Sequence, residues 1–159
     1  MNKLMFFLLC FVMIACDKDN VDDTYTYEYM ENSELTISTL QNSYMKYATV
    51  SEGDKAVFKY HFIAADEEEI ADDEYSEYIY FEIDSDLENF LIEDESLSLA
   101  NTVLTKVCFC GFLYESEKDV SPSGSISGEK ISDNTWKVVF DVTFYGDDHR
   151  TFEANFILK

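Results

Sequence analysis

Hydrophobic and polar side chains alternate along much of the chain with a period of two, the pattern of half-buried β-strands. The alternation runs through residues 25–30, 34–38, 55–64 and 78–83, and again through 125–130, 136–145 and 151–158. In residues 55–64, Val57, His61 and their alternates fall on one face, and Phe58 and its alternates fall on the other. The pattern predicts a series of strands rather than helices.

Turn residues separate these strands and indicate how they pair. Gly53 lies between the second and third runs, Asp133 and Asn134 precede residue 136, and Gly146 and Asp147 follow residue 145. Such short connections favour an antiparallel meander in which 136–145 and 151–158 are neighbours. Six to eight strands predict an all-β chain with one antiparallel, immunoglobulin-like β-sandwich domain over 24–159. A small β-barrel is the alternative.

Two segments depart from simple alternation. Residues 104–114 are apolar on both faces, which predicts a central strand that is covered on both sides. Residues 44–50 are ambiguous, because Tyr44, Tyr47 and Ala48 are also spaced as in a helical turn.

The first sixteen residues of the chain have a different pattern, with one basic residue, an apolar stretch and a final cysteine. Lys3 precedes twelve mainly apolar residues, 4–15, and Ala15 lies directly before Cys16. Twelve residues are too few to cross a bilayer, which needs about 20, but they match the apolar region of a signal peptide. The motif Met13-Ile14-Ala15-Cys16 resembles the lipobox of bacterial lipoproteins. The resemblance implies a signal peptide over 1–15, cleavage before Cys16 and lipid attachment to that cysteine.

An acidic stretch follows the cysteine and refines this resemblance. Asp17, Asp19, Asp22 and Asp23 lie in residues 16–23, with Lys18 as the opposing charge. The stretch is similar to the acidic tether behind the lipidated cysteine of Bacteroidetes lipoproteins. The resemblance implies a protein anchored to the outer membrane by its lipid, with exposure on the cell surface as an extension of that expectation.

Charge narrows the classes of partner. The chain has 33 Asp and Glu against 11 Lys and Arg, and its formal net charge is −22. Such a surface repels nucleic acid, which binds through Lys and Arg. It favours cations, basic proteins or neutral ligands. The apolar fraction of 47% and aromatic fraction of 16% indicate a folded rather than a disordered body.

The carboxylates are concentrated where counter-charges are absent. No Lys or Arg occurs between Lys59 and Lys106, although fifteen Asp and Glu lie there. Calcium takes six to eight oxygen ligands and would relieve their repulsion. The alternative is a solvated acidic face. The spacing of Asp84, Asp86 and Glu88 is similar to an EF-hand loop, but Asn89 replaces its glycine, so only a loose acidic turn is predicted. The candidate calcium ligands are Asp66, Asp72, Asp73, Glu77, Asp84, Asp86 and Glu88.

Cys108 and Cys110 form the second candidate site. One residue separates them, so a strand would place both side chains on one face. The alternatives are a buried thiol pair, a strained disulfide and a zinc or redox site, whose cysteines are usually spaced by two to four residues.

Enzyme motifs are absent from the sequence, which has no nucleophile elbow, phosphate-binding glycine loop or zinc-protease helix. The leading hypothesis is a non-catalytic binding module for a protein or a glycan, with structural calcium as an option. The alternatives are a structural or assembly accessory of an envelope complex and a glycoside hydrolase with paired carboxylates. Aromatic candidates for a sugar-stacking surface are Trp136, Tyr25, Tyr27, Tyr29, Tyr75 and Tyr78.

Overall fold

The computed structural model describes residues 22–39, 41–65, 74–109 and 111–159. Within these ranges the chain forms nine strands, one short helix and one 3-10 turn. In chain order these are β1 Thr24–Thr39, β2 Lys46–Glu52, β3 Lys55–Ile63, β4 Ser76–Asp84, β5 Asn89–Glu93, α1 Glu95–Leu99, β6 Val103–Val107, β7 Ser123–Ser132, β8 Thr135–Thr143, the turn Tyr145–Asp147 and β9 His149–Leu158.

The strands form one open sheet that is folded into two facing layers. The order is β5-β7-β8-β9-β1-β3-β4-β6, and β2 pairs with β1 outside this path. Neighbouring strands are antiparallel except β9 and β1, which meet in parallel at the fold between the layers. The predicted all-β, sandwich-like architecture is confirmed, and so is the pairing of β8 with β9. The sheet does not close, so the alternative of a barrel is wrong.

Aromatic side chains fill the space between the layers. The ring of Phe58 on β3 stacks on Phe81 of β4 with centroids 4.7 Å apart, and it meets Trp136 of β8 edge-on at 5.7 Å. Phe140 and Phe152 stack at 4.8 Å within the opposite layer. Phe58 and its alternates form one of the two faces that the alternation in β3 predicts. The structure shows that this face packs into the core.

A second, smaller covered region lies on the other face of β3 and β4. Val57 has no exposed surface and Glu82 is 8% exposed, although both lie on the face opposite Phe58 and Phe81. The second half of β1 and β2 form a hairpin beside this face, and Leu35 of that hairpin donates its backbone N–H to Glu82. Of the segment 44–50, which is ambiguous from sequence, residues 46–50 belong to strand β2 because they pair with this half of β1.

The predicted central strand over 104–114 is wrong. β6 ends at Val107, where its partner β4 begins at Ser76, and β6 is the last strand on its side of the sheet. Beyond this point Phe109 is 82% exposed and Leu113 is 73% exposed. Apolar residues on both faces of a segment do not by themselves make it a central strand. A strand is central only where neighbouring strands continue beside it.

None of the helical segments in the described ranges combines the length and hydropathy that a bilayer crossing requires.

Candidate functional site

The predicted calcium ligands do not form one cluster in the described residues. Asp66, Asp72 and Asp73 lie outside those residues. Glu77 lies near the start of β4 and Asp84 at its end, which separates them by about 24 Å at 3.4 Å per residue. Asp86 and Glu88 are exposed in the turn that follows Asp84. The predicted ligands in the described residues therefore lie at two separate ends of the sandwich.

At the first end, Glu77 binds cationic and neutral donors rather than presenting a free carboxylate. Arg150 of β9 donates from Nε to Glu77 Oε2 at 2.8 Å and from a terminal nitrogen to Oε1. The Tyr75 hydroxyl donates to the same Oε1. Lys106 and Asp148 form a 2.5 Å ion pair beside them. We call these five residues the Arg150 network, and its Glu77–Arg150 contact joins the two layers.

The charges of this network fix its protonation. Burial raises the pKa of Glu77, but the hydrogen bonds from Arg150 and Tyr75 and the charge of Arg150 outweigh burial, so the net pKa lies below its ordinary value of 4.5. The hydrogen bond to Glu77 raises the pKa of Arg150. Glu77 and Arg150 are therefore both ionised at neutral pH, and the carboxylate oxygens of Glu77 accept hydrogen bonds from Arg150 and Tyr75.

At the far end of β4, the predicted ligand Asp84 is paired with a cation. Lys55 Nζ lies 2.5 Å from Asp84 Oδ1. Within the described ranges, no group of three or more His, Cys, Asp or Glu side chains is arranged to hold a metal ion. Calcium binding that involves Asp66, Asp72 and Asp73 stays a prediction.

Glu82 was absent from the predicted site residues, yet it is among the most buried carboxylates that the structure describes. Its Oε2 accepts the Leu35 backbone N–H at 2.7 Å, and its Oε1 accepts the Asn101 side-chain amide at 2.8 Å. These donors come from β1 and from the residues after α1. The sequence placed Glu82 on the face of β4 opposite the core but did not show that a hairpin covers that face.

Cys108 forms a disulfide. The three other cysteines, Cys10, Cys16 and Cys110, lie outside the described residues, so the pairing of Cys108 with Cys110 stays a prediction.

Of the aromatic candidates for sugar stacking, Tyr25 alone is exposed, at 52%, and its ring centroid lies 5.1 Å from that of Phe62. Trp136 is 2% exposed and Tyr29 is fully buried. Tyr78 stacks on His61 with centroids 4.2 Å apart and on Tyr80 at 6.2 Å, and Lys59 Nζ lies 5.3 Å from its centroid. Stacking on a sugar needs a free flat face, and neighbours occupy those of Tyr78.

At the second end of the sandwich, the layers separate to form an open groove of about 340 Å³. One wall is β5 with the preceding turn, and the other includes the end of β4 and Lys55. Helix α1 closes the floor. Three leucines on its rim are exposed: Leu87 at 37%, Leu91 at 63% and Leu99 at 83%. This is a solvent-exposed apolar feature, and we call it the β5 groove.

Among the described residues, none pairs with the backbone of β5 on the side away from β7. β5 is the terminal strand of the sheet. Asp94 donates its N–H to Gly124, and Glu88 accepts from Lys130, so the even-numbered residues bond to β7. In an antiparallel ladder the alternate residues point the other way. Asn89, Leu91 and Glu93 therefore direct their N–H and C=O groups towards the free edge.

The charge around the groove is mainly negative. Carboxylates on and beside its rim include Asp86, Glu88, Glu93 and Glu95, whereas its lining contains one cation, Lys55, which is paired with Asp84. Elsewhere in the described residues, every other Lys and Arg except Lys59 is also in an ion pair with a carboxylate. The groove thus combines exposed leucines with polar lining residues that include Lys55 and Asp84, and its border is acidic.

Comparison with known proteins gives no relative: no protein-family model matches the chain, and neither a curated protein nor a solved structure is significantly similar to it.

Proposed function

We propose that the protein is a non-catalytic binding module, held at the bacterial outer membrane by a lipid on Cys16, which binds a protein partner through the β5 groove. The observation that carries the proposal is the exposed apolar rim of Leu87, Leu91 and Leu99 within an acidic border. Exposed apolar surface that is bordered by polar groups is typical of protein-interaction sites.

A protein partner is favoured over a glycan by the state of the aromatic rings. The flat faces of Tyr78 are in contact with His61, Tyr80 and Lys59, whereas the groove offers aliphatic side chains and an open strand edge. A hydrolase is disfavoured because the two buried carboxylates, Glu77 and Glu82, are occupied by donors from the protein itself.

Attachment to the membrane is tested separately from binding. The Cys16→Ala variant should lose lipid labelling and leave the membrane fraction, because a lipid anchor requires the thiol of that cysteine. Membrane association that persists in the variant without any lipid label would contradict the anchor.

The groove is tested by site-specific photo-crosslinking in cells that express the full-length protein. A photoreactive amino acid at position 99 should give a discrete adduct with another protein, because Leu99 lies on the rim and is 83% exposed. Position 157 is the matched control: Ile157 is also an exposed aliphatic residue, at 47%, but lies on β9, three strands from β5 in the sheet.

A third position separates the groove from the apolar β6–β7 loop. Phe109 in that loop is as exposed as Leu99. Adducts from position 109 without adducts from position 99 would move the binding surface to the loop. Equal adducts from positions 99 and 157 would indicate random collision and would overturn the assignment of the groove.

A further inference from the structure

The open edge of β5 and the charge of its border together define the kind of partner. We propose that a basic, extended segment of another protein adds to β5 as an extra strand. The inference rests on the proposed function of the β5 groove and specifies how its partner is recognised. Such strand addition derives affinity from backbone hydrogen bonds and specificity from alternate side chains.

The geometry fits a single added strand. β5 has five residues, which span about 17 Å, and three of them direct backbone groups to the free edge. Phe90 and Ile92 anchor the strand from the core side, where the Phe90 ring lies 5.5 Å from Trp136 and 5.8 Å from Phe58. The incoming chain would therefore meet a fixed edge, with exposed Leu87, Leu91 and Leu99 beside it.

The structure also shows why Phe90 is held in this position. Gly128 on β7 is opposite Phe90, and a Cβ at Gly128 would lie 2.5 Å from the Phe90 ring. The absence of a side chain at Gly128 leaves space for the ring to pack inward. Leu91, next in the chain, consequently faces outward with 63% of its surface exposed.

Charge selects the occupant among the alternatives. A second copy of this chain would bring its own acidic β5 border against the first and would be repelled, since the net charge is −22. The N-terminal segment 17–23 of this chain is acidic as well, so the acidic border would also repel it as an occupant. A segment with Lys or Arg at alternate positions would place its cations on the outward face of β5 beside Glu93, and its apolar side chains on the opposite face, where Phe90 and Ile92 line the groove.

The experiment uses the full-length chain, isotope-labelled, and a blocked ten-residue peptide of alternating lysine and valine as the probe. The measurement is amide hydrogen exchange by NMR. Binding should slow exchange at Asn89, Leu91 and Glu93, whose N–H groups face the free edge, and leave Phe90 and Ile92 unchanged because β7 already protects them. Binding that leaves the three outward amides unprotected would overturn strand addition.

Two control peptides separate backbone pairing from charge. The same lysine–valine peptide with methylated backbone nitrogens keeps its charge but cannot donate backbone hydrogen bonds. It should bind at least about tenfold more weakly, as expected for the loss of those bonds. A glutamate–valine peptide of the same length should not bind. Equal binding of the methylated peptide would mean that charge alone holds the probe, and equal binding of the glutamate peptide would refute the requirement for a basic partner.

Variants at Leu91 give an independent test on the protein. Leu91→Pro removes one outward N–H without removing a bond to β7, and edge strands tolerate proline there. Leu91→Ala removes the side chain but keeps the N–H. The proline variant should bind the lysine–valine peptide about tenfold more weakly than the alanine variant, and equal affinities of two folded variants would contradict the proposal. If the proline variant does not fold, the exchange pattern of the unmodified chain remains decisive.

These results are distinguishable from failure of the proposed function. Crosslinking from position 99 without outward amide protection would keep the groove as a binding surface and exclude strand pairing. Loss of both results would refute the groove itself.

Discussion

The carboxylates at the two ends of β4 have opposite surroundings. At the start of the strand, Glu77 and Arg150 tie one layer of the sandwich to the other, and Lys106 and Asp148 pair beside them. At its end, the layers separate and leave the β5 groove with exposed leucines. Both ends are rich in carboxylates. The difference shows that the acids stabilise the fold where a cation from the facing layer reaches them and border a surface where none does.

Breaking the first end should have the largest effect. Glu77→Ala should lower the free energy of unfolding by about 3 kcal/mol, because it leaves the Arg150 guanidinium without its carboxylate in a largely buried site. Urea unfolding measures the loss. Glu153→Ala is the matched control, since Glu153 pairs with Lys137 at an exposed position on β9, the strand of Arg150, and should change little. Equal losses in the two variants would refute a special role for the Arg150 network.

The hairpin near the second end should be less costly to disturb. Glu82→Ala should destabilise the protein by about 2 kcal/mol, because the Leu35 N–H and the Asn101 amide lose their acceptor in a covered region. The loss should be less sensitive to salt than that of Glu77→Ala, since both partners are neutral. Urea unfolding at low and high salt gives the comparison, and the same strong salt dependence in both variants would contradict it.

Acid should weaken the first end selectively. The pKa of Glu77 is lowered below 4.5 in the folded protein, so its contribution to stability is complete above that pH and is lost as pH falls through the lowered value. Glu77→Gln should therefore lose less stability than the unmodified protein between neutral pH and about pH 3. Unfolding measured at both pH values gives the difference. Identical pH dependence would show that Glu77 does not contribute.

Changing the groove should have the smallest effect on stability. Leu99→Ser should alter the free energy of unfolding by less than about 0.5 kcal/mol, because the side chain is 83% exposed. The same change should weaken binding of the lysine–valine peptide, as measured by calorimetry. A large loss of stability with unchanged binding would reverse the roles assigned to the two ends.

Several parts of this picture follow from local sequence. Alternation in residues 55–64 separated the two faces of β3, and the short turn around Gly146 correctly predicted that β8 and β9 pair. The two short apolar pieces at 90–92 and 97–99 stand out among acids. These pieces contain Leu91 and Leu99, but their apolar character alone does not indicate whether they are covered or exposed.

Other parts depend on residues that are distant in the chain. Arg150 reaches Glu77 across 73 positions, and Leu35 reaches Glu82 across 47. The apolar run 104–114 predicted a covered strand. However, β4 begins at Ser76, which pairs with Val107, so β4 has no residue that could pair with the run beyond Val107. A periodic pattern describes one strand, whereas burial depends on what lies across from it.

The sequence by itself determined the all-β class, the division of the strands into two faces and the acidic character of the surface, because each depends on local backbone geometry or on composition. Only the tertiary structure decided which carboxylates are buried and paired, which apolar segment is exposed and which strand has a free edge. Those properties depend on which layer faces which, and long-range strand pairing brings together groups that no local pattern connects.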